Sequence, residues 1–108
     1  MPGFDIGQTV AICDSTGEHI GDFRIYEVRV GAWCGSFFPE PAYERLRHLF
    51  KNQAEITTKH LSNSGSEVAD KITALGLWGR IGNERHAIRD LRLYESADGI
   101  GGSFRDVV

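Results

Sequence analysis

The sequence predicts an α+β domain in which a curved, mainly antiparallel sheet of about five strands, in the order β-β-α-α-β-β-β, packs with two helices. Three observations predict it. A long β-type run extends from His19 to Phe38, strand-like segments gather at both ends of the chain, and two stretches with helical spacing lie between them.

In the long run, Phe23 and Ile25 share one side, because strand side chains alternate with a period of two. The phase then slips. Tyr26, Val28, Val30, Ala32 and Cys34 take the even positions and Glu27 and Arg29 the odd ones, giving an apolar face expected to pack on the core. A one-residue slip is the signature of a β-bulge, so the strand is expected to bend strongly, the alternative being two short strands broken near Ile25. Before it, Thr9 to Cys13 reads as a short strand, with Asp14-Ser15-Thr16-Gly17 supplying the turn.

Pro39-Glu40-Pro41 ends the strand character and opens a helix from about Pro41 to about Ala54, since proline is tolerated in a first helical turn. Tyr43, Leu46, Leu49 and Phe50 form its apolar stripe. Ile56 to Leu61 fits either a helix end or a short extra strand. Ser64-Gly65-Ser66-Glu67 has the arrangement of a capping box, and Val68, Ile72 and Leu75 give the following helix a buried stripe. Gly76 is placed to end it in a left-handed conformation. Leu77 to Ile81 reads as a strand, 82–85 as a turn, and His86 to Glu95 as the next strand, although Ile88, Leu91 and Tyr94 also fit a helical period. Ser96 to Gly102 reads as a glycine-rich connection and Ser103 to Val107 as a closing strand, the whole bent into something like a half-barrel.

At 108 residues the chain is one domain, spanning 1–108. Its 41% hydrophobic and 25% charged residues are ordinary for a globular protein, and no apolar run reaches the length of a membrane span. Met1-Pro2-Gly3-Phe4-Asp5 lacks the basic start and apolar stretch of a signal peptide, so a cytoplasmic setting is expected. The net charge of −3 argues against nucleic-acid binding as the main activity. Arg80, Arg85, Arg89, Arg92 and Arg105 nevertheless crowd the last third, interleaved with Glu84, Asp90, Glu95 and Asp106. That pattern fits a solvated mixed-charge face, with an anion- or partner-binding patch as the alternative. Cys13 and Cys34 have neither metal nor redox spacing and read as reduced, packed thiols.

No stretch makes a catalytic or cofactor motif. Trp33-Cys34-Gly35-Ser36 resembles the cysteine segment of papain-like proteases over three residues, but the flanking pattern is absent and the chain is too short for their two-lobed fold. A nucleophilic Cys34 would need His48 or His86 beside it. Glu44 and His48 stand one helical turn apart, which reads as an exposed helix pair rather than half a metal site. Gly99-Ile100-Gly101-Gly102 lacks the third spaced glycine of a dinucleotide fingerprint, and too few residues follow for its helix. No cofactor and no metal are therefore expected.

Read loosely across Gly31 to Phe37, Leu49-Phe50, Ala74-Leu75-Gly76-Leu77, Ile88-Arg89-Asp90-Leu91 and Ser103-Phe104-Arg105, the chain resembles short uncharacterised bacterial orphan proteins of the integron and mobile gene cassette type. Ala32 and Cys34 around the tryptophan depart from that pattern. The resemblance implies a small cytoplasmic protein, often oligomeric, and transfers no catalytic residue.

The residues thus point first to a non-catalytic binding or interaction module that forms a homodimer through sheet aromatics or a strand edge. A second reading is a domain holding a small anionic or aromatic molecule, with Trp33, Phe37, Trp78, Arg89 and Arg92 as candidate contacts. A third is a small enzyme using Cys34 or a pair such as His86 and Asp90.

Overall fold

A computed structural model describes residues 4–59 and 70–106. Six strands, β1 (Thr9–Cys13), β2 (His19–Arg29), β3 (Ala32–Pro39), β4 (Trp78–Ile81), β5 (Glu84–Ser96) and β6 (Gly99–Asp106), close into a barrel in the order β1-β2-β3-β6-β5-β4. Each neighbouring pair is antiparallel, including β1 with β4 and β3 with β6. The open curved sheet packed with two helices is therefore corrected to a closed barrel. The chain forms two three-stranded meanders, and pairing their outer strands removes most of the exposed edges that either would carry alone.

The expected single run from His19 to Phe38 is a hairpin. It breaks at Val30-Gly31, not near Ile25, and Arg29 pairs with Ala32 across a two-residue loop. Val30 and Gly31 both have positive φ, 52° and 78°, the backbone of a type I′ turn. The phase slip does mark a bulge: Ile25 pairs with Gly35 and Glu27 with Cys34, leaving Tyr26 extra. The Thr9–Cys13 strand stands as expected, and 86–95 is strand, within β5. The glycine-rich stretch from Gly99 belongs to β6 rather than to a connection.

The barrel interior is narrow and filled by alternating small and large residues. Gly35 and Gly102 are cross-strand partners facing inward, and the Phe23 ring occupies the space their missing side chains leave. A Cβ at Gly35 would lie 2.0 Å from the Arg24 carbonyl oxygen and 2.7 Å from the Phe23 ring. Gly21 stands in the same relation to Phe37, and Gly79 to Val10. Small barrels have room for one layer of large side chains only where the opposite wall is bare.

A 3-10 helix, Pro41–Arg45, and α1, Arg47–Lys59, close one end. They replace the single helix expected over 41–54, and α1 takes in residues 56–59 of the undecided segment. Tyr43 and Phe50 are buried, with Leu46 and Leu49 packed against the same core. Tyr43 meets Phe37 edge-on at 5.1 Å between ring centroids. Residues 70–74 are helical and bury Ile72, and Gly76 adopts the expected left-handed φ of 63°. The capping box and Val68 fall outside the described residues. Phe4 closes the opposite end, its ring 5.0 Å from that of Phe104 and 6.1 Å from that of Trp33.

Candidate functional site

The residues expected to line one pocket lie in separate places. Phe37 is buried in the core against Tyr43. Trp33 is half-buried at the opposite end beside Phe4. Trp78 lies on the barrel wall, where its indole N–H donates to the Asp14 carbonyl oxygen at 2.7 Å and the Arg85 guanidinium stacks 4.4 Å from its ring centroid. Arg89 and Arg92 are exposed on either side of a bulge in β5, whose residue Asp90 has a φ of 55°. No common hollow joins the three aromatics.

The catalytic candidates are likewise kept apart. Cys34 Sγ lies 3.8 Å from the Ala32 carbonyl oxygen, and among the described residues no histidine hydrogen-bonds to it. The His86 ring packs against Phe4 at 5.3 Å, and its Nε2 lies 3.2 Å from Glu84, not Asp90. Glu44 bonds Arg47 at 2.9 Å rather than His48.

Three other features could hold a ligand. A cleft of ≈ 210 Å³ lies between the β5 bulge and the helical segment, lined by Ile72, Leu77, Ile88, Arg89 and Leu91 among others. A more open groove of ≈ 500 Å³ runs along the outer wall, with Phe38 on one side and the nearly bare Gly99 and Gly101 of β6 as its floor. His19, Asp22 and Glu40 form a small donor cluster whose ligand atoms lie within 4.8 Å of one another. A bulge at Ile20 causes it: Cys13 pairs with His19 and Ile12 with Gly21, so Ile20 and Gly21 both turn inward and His19 and Asp22 both turn out. His19 Nε2 and Asp22 Oδ1 then meet at 2.9 Å.

The largest departure from expectation is at the β2–β3 tip. Tyr26, Val28 and Val30, expected to face the core, are 59%, 45% and 86% exposed. The reason is positional. The last bonds between β2 and the preceding chain are made at Ile25, whose N–H reaches the Gln8 carbonyl and whose C=O accepts from the Gly7 N–H. Beyond Ile25 the hairpin outruns β1: Trp33 still packs against the core, but its partner Val28 and the turn reach past it. Among the described residues, no backbone bond pairs Tyr26–Arg29 on the side away from β3.

This tip is also strained. A β-branched residue at positive φ is a conformational outlier, and Val30 holds it while leaving its side chain in water. The Arg105 guanidinium pins the turn by donating to the Val30 carbonyl oxygen at 3.1 Å. Arg29 Nη2 donates to both carboxylate oxygens of Glu27, at 3.0 and 3.2 Å, on the other face of the strand. The sequence signal for this site was the Val-Gly pair flanked by alternating residues, which marks a two-residue loop once valine is allowed in a turn position.

Comparisons with protein-family models, with curated proteins and with solved structures gave no match to this chain. Among the described residues, no helix is long and apolar enough to cross a membrane.

Proposed function

We propose that this protein is a small non-catalytic interaction module that forms a homodimer through the exposed tip of its β2–β3 hairpin. One observation carries the reading. Tyr26, Val28 and Val30 are exposed along a strand edge that no other described residue pairs, and Val30 at its tip holds a strained backbone conformation with its side chain in water. An open apolar edge left uncovered is an aggregation hazard, so a matching surface that covers it is the economical explanation. The cytoplasmic setting and the kinship with gene-cassette proteins belong to the same proposal. Size-exclusion chromatography with light scattering over a dilution series tests it. The expected outcome is a mass that rises with concentration toward twice the 12.0 kDa of the chain.

The outer-wall groove supports a second reading, the binding of a planar small molecule. Phe38 and Tyr94 are both exposed and stand at diagonal positions across β6, whose Gly99 and Gly101 permit close approach. Arg92 lies two residues from Tyr94 on the same face of β5 and would supply an anion contact. A thermal-shift screen of aromatic and anionic metabolites, repeated on Phe38→Ala, tests this: a stabilising compound that loses its effect in the variant is the expected result.

A further inference from the structure

The edge that the homodimer reading relies on is complementary to itself in one register, and we infer that Val28 lies on the two-fold axis of that dimer. The inference rests on the proposed function and specifies the partner as a second copy of this chain.

The free backbone groups of this edge have a fixed direction. In a hairpin with a two-residue loop, the closing pair is hydrogen-bonded, and here that pair is Arg29 with Ala32. The next pair, Val28 with Trp33, is then a non-bonded pair, so the Val28 N–H and C=O point away from β3 toward the open edge. A second strand can bond there only at Val28.

Symmetry selects the register. A dimer with a two-fold axis pairs identical strands antiparallel, and the bonded pair on the axis must be a residue with its own copy. Placing Val28 there sets Glu27 of each chain opposite Arg29 of the other. Val28 then meets its own copy on one face, and on the other Glu27 and Arg29 form two crossed ion pairs flanked by Tyr26, which the bulge turns to that side. Each Arg29 already bonds the Glu27 of its own chain, so the four groups close into a ring of alternating charge. Shifting the axis to Glu27 or Arg29 would put like charges opposite each other. The outcome is a sheet that runs continuously from one barrel into the next through β2.

The contact is short, so the association belongs to the weak class of interfaces that bury less than about 1,200 Å².

The decisive experiment uses opposite charge reversals on the full chain, followed by sedimentation velocity. Glu27→Arg and Arg29→Glu each place like charges across the axis and should weaken self-association at least tenfold. Mixed in equal amounts, the two variants should associate at wild-type strength, because each supplies the charge the other lacks. That recovery also shows both variants to be folded. In parallel, Val28→Cys should form a disulfide between the two introduced thiols under mild oxidation, since a bonded antiparallel pair has Cα atoms about 5.5 Å apart. Val30→Cys should not. A wild-type dimer indifferent to both reversals, or a mixture that stays monomeric, would overturn the register while leaving the dimer standing. A wild-type chain that stays monomeric at millimolar concentration would overturn both.

Discussion

The indole N–H of Trp78 donates to the carbonyl oxygen of Asp14 at 2.7 Å, tying β4 to the turn that follows β1 across 64 residues of chain. It reinforces a seam where β1 and β4 share only three pairs, Ala11–Arg80, Ile12–Gly79 and Cys13–Trp78. Trp78→Phe removes the donor and shrinks the platform on which Arg85 stacks. The expected loss is about 1 kcal/mol of stability, measured by urea denaturation, because a half-buried acceptor loses its partner.

The inward glycines give a sharper contrast. Gly35→Ala sets a methyl group against the backbone of the neighbouring strand, which cannot retreat without opening the barrel. Overpacking of this kind costs about 1–3 kcal/mol or more, and the variant should show a large fall in Tm. Gly101→Ala is the control: the nearest atom to a Cβ there is 3.9 Å away, and stability should change by less than about 0.5 kcal/mol.

These glycines show why the sequence yielded part of the fold and withheld the rest. The phase slip at Tyr26 was legible because apolar and charged residues changed sides there, and Gly76 was legible because it followed a helical stripe. Barrel closure was not. Gly99, Gly101 and Gly102 show no alternation because they carry no side chain, so the first half of β6 read as a loop. Val30 concealed the hairpin turn because β-branched residues avoid the conformation it adopts. The aromatic candidates were individually plausible, but which wall each joins depends on pairings between residues far apart in the chain, β1 with β4 and β3 with β6. Alternation reads Tyr26 and Val28 as one core-facing side, but the bulge turns Tyr26 to the Glu27 side, and Val28, on the side of Trp33, lies past the end of the core.

Alkaline pH should destabilise the barrel through Tyr43. Burial, reinforced by the nearby Glu95 carboxylate and opposed by Arg47, pushes its phenol up to about 12. The unfolded chain ionises near the ordinary tyrosine value of about 10. The stabilisation is thus fully present below about pH 10 and is lost as pH rises through about 12, a contribution on the order of 2 kcal/mol. Stability curves for wild type and Tyr43→Phe should differ in slope between those limits, with the variant flatter.

The two thiols should differ in reactivity. Cys13 is wholly buried and its thiol is pushed up by that burial, against the lowering effect of Arg80. Cys34 is only half-buried. Alkylation of the folded protein at pH 8, mapped by mass spectrometry, should label Cys34 first and leave Cys13 intact until the protein is denatured.

Relieving the turn strain should separate stability from association. Val30→Asn creates the residue pair favoured in type I′ turns and should stabilise the monomer by up to about 1 kcal/mol. The same substitution removes an apolar group from the exposed edge. Melting should therefore rise at low concentration while self-association weakens, a combination checked by paired thermal melts and sedimentation runs.

The most direct test is the mass of the unmodified chain by light scattering, from dilute to near-millimolar concentration. Docking through the β2 edge predicts a reversible approach to twice 12.0 kDa that Glu27→Arg shifts to at least tenfold higher concentration. A constant mass of 12.0 kDa across the whole range would contradict it.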